Sequence, residues 1–310
     1  MKHVHVAALE ADAELAKKIG KKAGETDFTI YNCKEGDAVI SIYHPSKYPE
    51  KFQPLLYSLY LCDVAYIRPM QIDKFTGEMI VAASIFGRKL LVVVDKVSRE
   101  ELEPLLKSAG IATYEFFEGD ANELREKLLS ENSLRKTEGK TEIVIDACFP
   151  VKGVGTVALG IVQQGRVSVH QKLEFIPSGV SAEVKSIQVQ DIDVKEAEVG
   201  TRVGLNLKNV EADTVGKGDL AVEEKWASAS KIEAEVSLTK FYKGDITQIQ
   251  FFVLWGLKFV ASKAKKNAAG NYEMELGSPL PVRTGETVQL FLAEAMPRII
   301  GSGKVVKIIS

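Results

Sequence analysis

The hydrophobic pattern of the chain changes near residue 137, and this change limits the folds that the chain can adopt. Before it, four short β-branched runs alternate with five longer stretches whose apolar residues recur every three or four positions. The short runs, which predict strands, are 4–9, 38–42, 64–67 and 89–94. The longer stretches, which predict helices, are 11–23, 54–62, 75–86, 100–109 and 121–129. This alternation predicts a mostly parallel sheet with helices on both faces.

The rest of the chain has an all-β pattern. Short strands with glycine-containing turns recur at a spacing of roughly 8–12 residues, which is typical of small barrels. A polar break at 223–230 divides this part in two. We therefore predict an α/β domain at 1–137, a linker at 138–140, and β-barrels at 141–224 and 225–310.

Composition excludes several classes of protein. The 310 residues include 40 Lys and Arg against 42 Asp and Glu, so a uniformly basic nucleic-acid-binding surface is excluded. Three cysteines without CxxC spacing do not make a disulfide framework or a tetrahedral metal site. No apolar run approaches 18 residues and the N-terminus lacks a secretory pattern, so we expect a cytoplasmic protein without a membrane partner.

The positive charge is concentrated in the last segment. Residues 225–310 carry 12 basic and 7 acidic side chains, and four of the lysines lie close to Trp255 and Phe259. These lysines are Lys258, Lys263, Lys265 and Lys266. A basic cluster with aromatic residues can bind a phosphate backbone. The alternative is a solvated hairpin whose lysines protect its edge.

Several motifs identify a family. The stretch 149–167 contains Gly-x-Gly-Thr-Val followed by Gly-x-Val-x-x-Gly, and 203–219 ends in a Gly-Asp turn. Both resemble the second domain of elongation factor Tu and its relatives, and 281–286 and 298–305 resemble the closing strands of their third domain. The similarity is to the selenocysteine-specific elongation factor SelB and archaeal SelB-like proteins. It implies a degenerate GTPase-like α/β domain, like that of P-loop GTPases, followed by two β-barrels.

The family's phosphate-binding loop is missing. In this family GxxxxGK[ST] follows the first strand, and its backbone amides and lysine bind the phosphates. Here the first strand is followed by Glu10, Asp12 and Glu14, and no glycine appears before Gly20. Acidic side chains repel phosphate, and a helix dipole alone does not offset that repulsion.

Two further nucleotide motifs are also replaced, and the segment that would hold switch I is short. Residues 43–47 read Tyr-His-Pro-Ser-Lys where the family has Asp-x-Pro-Gly-His, and 95–98 read Asp-Lys-Val-Ser where it has Asn-Lys-x-Asp. We therefore predict a pseudo-GTPase with no nucleotide-binding residues, no catalytic residues, no metal site and no cofactor. His44 has no evident acid or nucleophile beside it, which favours a structural role.

The resemblance also implies RNA-binding residues. The aminoacyl end of tRNA would lie near the turn formed by Gly160, Gln163, Gln164, Gly165 and Arg166. Elongation factor Tu has Glu-Arg where this chain has Gln163 and Gln164. The alternative is that the two glycines only permit a tight turn and close strand packing. The third domain would contact the RNA backbone through Lys258, Lys263, Lys265, Lys266 and Arg298.

These observations favour a SelB-like protein that has lost GTP binding and hydrolysis and that binds tRNA or the ribosome. One alternative is a divergent GTP-binding elongation factor that delivers an aminoacyl-tRNA. Another is a scaffold or regulator that binds only a protein partner, through the α/β domain. Aromatic residues that would suit such a surface are Tyr43, Tyr48, Phe52, Tyr57 and Tyr60.

Overall fold

A computed structural model describes residues 2–133, 135, 137–294 and 296–310. The chain forms two compact units. The first unit comprises Met1–Leu134 and Ala293–Ile299, and the second comprises Arg135–Leu292 and Ile300–Ser310. None of the described helices is long and apolar enough to cross a lipid bilayer.

The first unit is built on a seven-stranded sheet. Its strands are β1 (Lys2–Leu9), β2 (Lys21–Glu25), β3 (Thr29–Glu35), β4 (Ala38–His44), β5 (Val64–Ile67), β6 (Lys89–Val93) and β7 (Tyr114–Phe117). They lie in the order β2-β3-β4-β1-β5-β6-β7, and the five strands from β4 to β7 are parallel. The central strands β1, β4 and β5 are almost entirely buried, as expected for a sheet covered on both faces. The predicted parallel α/β sheet is confirmed.

Five helices accompany this sheet. They are α1 (Glu14–Ile19), α2 (Gln53–Leu61), α3 (Lys74–Ile85), α4 (Arg99–Ala109) and α5 (Ala121–Ser130). Helix α1 packs against α5, whereas α2, α3 and α4 pack in series. Asp73, Ser98 and Asp120 cap the N-termini of α3, α4 and α5 with side-chain oxygens, and Gly110 ends α4 in a left-handed conformation. The last four predicted helices agree with the structure to within one residue at each end, and for α3, α4 and α5 these caps explain the agreement.

The prediction of a single helix at 11–23 was wrong. Helix α1 ends at Ile19, and Gly20 is extended, with φ −135° and ψ 165°. The chain then enters β2, an edge strand that pairs antiparallel with β3. The helical spacing of apolar residues indicates only a weak preference for helix. The backbone hydrogen bonds that β2 forms with β3 outweigh this preference.

The predicted aromatic surface of this unit was also largely wrong. Tyr43, Phe52 and Tyr57 are at most 8% exposed. Tyr48 and Tyr60 are half-buried. Aromatic side chains next to buried strands supply a large part of a core, and the structure uses most of these residues in that way.

The second unit begins with a barrel. Its strands are β8 (Glu142–Val151), β9 (Gly155–Gln164), β10 (Arg166–Ser168), β11 (Lys172–Ile176), β12 (Val180–Val189), β13 (Ile192–Val194), β14 (Glu196–Glu198), β15 (Arg202–Lys208) and β16 (Leu220–Val222). Six strands close a ring in the order β11-β16-β8-β9-β15-β12, because β12 also pairs with β11. Their inward side chains, including Ile143, Ala158, Phe175 and Leu205, form one continuous core.

A second barrel completes this unit. Its strands are β17 (Ala229–Leu238), β18 (Phe251–Trp255), β19 (Lys258–Lys266), β20 (Tyr272–Leu280), β21 (Thr287–Phe291) and β22 (Ile299–Ile308). They close in the order β17-β20-β19-β18-β21-β22. The prediction that the two C-terminal segments form β-barrels is thus confirmed.

Candidate functional site

In the first unit, several charged and polar side chains meet at the carboxyl edge of the parallel strands. Glu10 follows β1, His44 ends β4, Arg68 follows β5 and Asp95 follows β6. The carboxyl ends of parallel strands lie at one edge of a sheet, where α/β proteins commonly bind ligands. This edge is therefore the first place to look for a functional site.

Arg68 lies at the centre of this edge and is surrounded by carboxylates. Its Nε and Nη2 donate to Oδ2 of Asp95 at 2.9 and 2.5 Å, and its Nη1 donates to Oε2 of Glu14 at 2.6 Å. The same Nη1 lies 4.0 Å from Oε2 of Glu10 and 3.9 Å from Oδ1 of Asp12. The Arg68 side chain is only 8% exposed. We call Arg68 and these four acids the Arg68 cluster.

Within the cluster, the Glu10 carboxylate binds backbone amides. Its Oε1 accepts from the amide of Ala16 at 2.9 Å, and its Oε2 accepts from the amide of Leu15 at 3.1 Å. The Tyr66 hydroxyl donates to Oε1 at 2.6 Å. Burial, together with the negative charge of Glu10, raises the pKa of Tyr66. A side chain of the protein therefore supplies the anion at the first turn of α1.

The outer members of the cluster are also held in place. The pKa of Glu14 is lowered to about 2 by its hydrogen bonds to Lys18 and Arg68. His44 donates from Nε2 to the backbone oxygen of Glu10 at 2.8 Å, and burial lowers the pKa of its imidazole. Among the residues that the structure describes, no three His, Cys, Asp or Glu side chains group so as to hold a metal ion. The arrangement is an internally paired ion network at the edge of the sheet.

In the second unit, the turn predicted to bind the end of tRNA packs against the segment before β8. Arg135 donates from Nε to Oε1 of Gln163 at 3.2 Å, and Gln164 donates from Nε2 to the backbone oxygen of Lys140 at 3.3 Å. Gly165 has a φ of +66°, and a Cβ there would lie 2.6 Å from a backbone oxygen of this segment. The structure therefore brings the turn residues together, and Gln163, Gln164 and Gly165 contact the segment before β8.

Gly160 and Arg166 differ from their neighbours in this turn. Gly160 lies within β9, where a Cβ would come within 2.5 Å of the backbone oxygen of Val144. Close approach of two strands explains this glycine. The Arg166 side chain, by contrast, is 70% exposed, and its nearest acid, Glu196, is 3.9 Å away. Arg166 is thus the member of the turn whose charge faces solvent.

Lys258 joins the two barrels. Its ammonium lies 2.8 Å from Oδ1 of Asp219, which is 1% exposed, and donates to the backbone oxygen of Lys217. The Lys258 side chain is 18% exposed. A second ion pair between the barrels is formed by Arg283, which binds Glu142 through Nη1 and Nη2 at 2.6 and 3.1 Å. Lys258 is therefore an internal link of the second unit.

Lys263 and Lys265 lie on the outer face of the second barrel opposite acids. Lys263 pairs in register with Glu275, and Lys265 pairs with Glu273. Glu273 also accepts an ion pair from Lys231 on β17 at 2.8 Å. This face continues onto β22 with further cross-strand pairs, namely Glu233 with Lys307 and Glu235 with Lys304. We call this mixed-charge surface the outer charge face. Opposite charges directly across strands stabilise a sheet and neutralise its field.

The prediction that Arg298 contacts the RNA backbone needs a correction. Arg298 is 8% exposed and packs in the first unit, with its segment Ala293–Ile299. Its guanidinium donates to both carboxylate oxygens of Glu78, from Nε to Oε1 at 2.8 Å and from Nη2 to Oε2. The guanidinium also lies 4.3 Å from the centre of the Phe52 ring. The same guanidinium lies 5.5 Å from the centre of the Tyr48 ring. A buried, fully paired arginine does not present charge to a nucleic acid.

Exposed basic and aromatic residues instead gather at one end of the second barrel. The loop after β17 carries Lys240, Phe241 and Lys243, all exposed, and the Lys240 ammonium lies 5.4 Å from the centre of the Phe241 ring. Lys266, at the end of β19, lies 5.6 Å from the ring of Tyr272. We call Lys240, Lys243 and Lys266 the loop lysines. In the sequence, the Lys-Phe-Tyr-Lys run at 240–243 indicates this basic and aromatic group. It contains fewer lysines than the cluster on β19, which drew the prediction instead.

A groove of about 1400 Å³ was not predicted from the sequence. It lies on the first barrel beside the β8–β9 hairpin, whereas the turn at 163–166 is at the other end of β9. His170, Glu183, Lys185 and Lys208 contribute to its lining. Glu183 and Lys185 lie on β12, Lys208 ends β15 and His170 lies in the turn before β11, so no short motif marks the groove.

The two units have the architecture of translation elongation factors. A family model described as elongation factor Tu domain 2 matches residues 155–222. The fold resembles SelB from Methanococcus maripaludis in complex with the GTP analogue GppNHp, with a TM-score of 0.81 and 19% identity over 100% of this chain and 80% of that chain. A bacterial selenocysteine-specific elongation factor gives the same score at 22% identity, over 98% of this chain and 58% of that one.

Curated relatives agree with this fold. An uncharacterized protein of Methanocaldococcus jannaschii is 31% identical over 94% of this chain and 95% of its own length. The selenocysteine-specific elongation factor of the same organism is 28% identical over 54% of this chain, which spans 41% of that relative. Elongation factor 1-alpha of Desulfurococcus mucosus is 38% identical over 26% of this chain and 18% of its own length. The chain belongs to the translational GTPase superfamily and is SelB-like.

Proposed function

We propose that this protein is a cytoplasmic SelB-like translation protein that holds no nucleotide in its first unit and binds tRNA or ribosomal RNA through its second unit. The proposal that the first unit holds no nucleotide rests on the Arg68 cluster. The amides at the start of α1 already have an anionic partner in Glu10. A phosphate in that place would have to displace a buried carboxylate, which is 4% exposed. Burying an unpaired charge costs several kcal/mol, and the other acids would add repulsion.

A consequence of this proposal concerns regulation. In nucleotide-driven switches, a γ-phosphate and its magnesium ion order the loops that change conformation. Here the same edge of the sheet is held by Arg68 and its carboxylates. We therefore infer that the first unit has no GTP-dependent switch and that its role is structural or that of an interaction surface.

Nucleotide titration tests the first part. GTP, GDP and ATP with magnesium would be titrated calorimetrically, with hydrogen exchange of residues 9–17 followed in parallel. We expect no magnesium-dependent binding and no added protection, whereas SelB from Methanococcus maripaludis should bind under the same conditions. Micromolar, magnesium-dependent GTP binding that protects 9–17 would contradict the proposal and favour a divergent GTP-binding elongation factor.

The RNA-binding part is supported by the distribution of exposed cations in the second unit. Arg166 and the loop lysines are exposed, and Asp245 is the acid that lies close to Lys266. Exposed lysines beside aromatic rings can bind phosphates and stack on unpaired bases. The outer charge face has no comparable excess of positive charge, because its lysines lie opposite glutamates. We therefore propose Arg166 and the loop lysines as the main RNA contacts.

A filter-binding series with bulk tRNA and ribosomal subunits across salt concentrations tests this part. Replacing all three loop lysines by glutamine should weaken binding and reduce the slope of log K against log salt by roughly 0.7–0.9 for each lost phosphate contact. The matched control replaces Lys263 and Lys265 by glutamine, which should leave the slope unchanged. Absence of RNA retention even at low salt would refute the RNA-binding function. Protein partners recovered after RNase treatment would then favour the scaffold.

A further inference from the structure

A cavity of about 410 Å³ lies in the second unit where its two barrels meet. Its volume falls within the range of roughly 300–1,000 Å³ that is typical of small-molecule sites. Trp226 and Arg283 line it together with Lys140, Glu142 and Gln164. None of these residues belongs to the Arg68 cluster or to the loop lysines, whereas Gln164 also belongs to the turn predicted to bind the end of tRNA.

The Arg283 guanidinium is stacked over the Trp226 ring, and hydrogen bonds fix the orientation of both groups; we call this stacked pair the Trp226–Arg283 wall. Trp226 donates from Nε1 to the backbone oxygen of Pro281 at 3.0 Å, and the Arg283 guanidinium lies 4.5 Å from the centre of the Trp226 ring. Glu142 binds both terminal nitrogens of Arg283, and Glu286 accepts from its Nε at 3.0 Å. Two carboxylates neutralise the guanidinium, which therefore offers mainly a planar surface for stacking.

Polar groups around this wall suit a planar ligand with a polar edge and a phosphate. Gln164 uses its amide nitrogen on the Lys140 backbone, which leaves the amide oxygen to accept from an exocyclic amino group. Lys225 lies exposed at the rim of the cavity. Lys140 and Glu224 form an exposed ion pair at 2.9 Å on the same rim, and pairs of this kind are weak enough to rearrange.

We propose that this cavity binds an unpaired purine nucleotide, with the base stacked on the Trp226–Arg283 wall, its amino group on Gln164 and its phosphate near Lys225. The nucleotide can be free or part of an RNA strand, and the latter case rests on the proposed RNA-binding function. A purine is favoured because its larger ring system stacks over more of the wall and carries an exocyclic amino group, either N6 of adenine or N2 of guanine. Duplex RNA does not fit, because its bases are stacked within the helix.

Tryptophan fluorescence offers a direct test, because the chain has only two tryptophans. Trp255 is buried on β18, so the variant W255F leaves Trp226 as the sole reporter. We expect saturable quenching by AMP, GMP and a single-stranded hexaadenylate, and no response to ribose 5-phosphate or a duplex of the same length. Quenching by the monophosphates alone would assign the site to free nucleotides, and quenching by hexaadenylate alone would assign it to RNA. No quenching by any of these would overturn the proposal.

Three variants locate the effect. In otherwise wild-type protein, W226A should weaken hexaadenylate binding at least tenfold, and W226F, which keeps a stacking ring, should restore most of it. Q164A leaves the wall intact and should weaken binding about three- to tenfold, which covers the case that W226A fails to fold. Wild-type affinity in both W226A and Q164A would refute this site. If the loop-lysine variant loses tRNA while W226A binds hexaadenylate normally, RNA binding stands and this site fails. If tRNA is not retained but AMP still quenches Trp226, the RNA-binding function fails and the site stands for a free nucleotide.

Discussion

The Arg68 cluster and the outer charge face are both mixtures of basic and acidic side chains, but they differ in burial and geometry. In the cluster, four carboxylates converge on one guanidinium that is 8% exposed. On the outer charge face, each lysine lies opposite a glutamate across strands and remains in contact with water. The first arrangement holds a sheet edge together through the buried Arg68 and Glu10 and three partly exposed acids, whereas the second contributes modestly to a barrel. The number of basic residues in a stretch of sequence does not show whether that stretch binds phosphate. The acids that lie next to those residues in the fold determine whether their positive charge is available.

The comparison can be tested most strongly at Arg68. In R68A, the buried Glu10 loses its nearest cation and the partly exposed Asp95 and Glu14 lose their partner, so we expect a loss near the lower end of the roughly 3–5 kcal/mol typical of a broken buried ion pair. Among the described residues all α-helices lie in the first unit, whereas both tryptophans lie in the second. Urea unfolding followed by circular dichroism at 222 nm should therefore shift, and the tryptophan transition should not. R166A, at an exposed arginine, is the control and should change stability by less than about 0.5 kcal/mol. Equal effects of the two variants would remove the distinction between buried and exposed charge.

A smaller effect is expected in the first barrel. In G160A, the new Cβ would contact the Val144 backbone oxygen at 2.5 Å, so the strands must separate. Overpacking of this kind costs about 1–3 kcal/mol. The tryptophan-detected transition should move to lower urea, while the 222 nm transition keeps its midpoint. Gly24 has open space where its Cβ would be, so G24A is the matched control. Unchanged stability together with impaired tRNA binding in G160A would instead favour the predicted RNA contact at this turn.

The smallest expected effect is a pH dependence at the edge of the Arg68 cluster. Burial lowers the pKa of His44 below its usual value near 6.5, so the folded state binds this proton less readily than the unfolded state. The contribution of neutral His44 to stability is therefore fully present above about pH 6.5 and declines as the pH falls toward the lowered value. H44Q keeps a donor for the Glu10 backbone and should flatten the 222 nm stability profile between pH 7 and 5. H170Q, at a histidine of the second unit, should leave the 222 nm profile unchanged, and an identical slope in H44Q would contradict the assignment.

The sequence was sufficient for the architecture but not for the placement of charges. Buried strands such as β5 and capped helices such as α4 carry local signals, and both were predicted to within a residue of their observed ends. The sequence also predicts that the glycine-rich loop is replaced, yet the bonds from Glu10 to the amides of α1 depend on a turn that no motif marks.

Cross-strand and long-range pairing explains the remaining misses. Lys258 looked like part of a basic cluster but binds Asp219, 39 positions earlier in the chain. Arg298 pairs with Glu78 across 220 positions. Contacts of this range arise only from the tertiary fold, so a single sequence does not reveal them.

The hydrogen bonds of Glu10 have a consequence for how such a protein would respond to the cell. A phosphate group can leave, but a carboxylate attached to its own main chain cannot diffuse away. On the proposed function, the first unit would keep the same form in starved and in growing cells. Its contribution to translation would then follow the number of copies synthesised, independent of the guanine nucleotide supply.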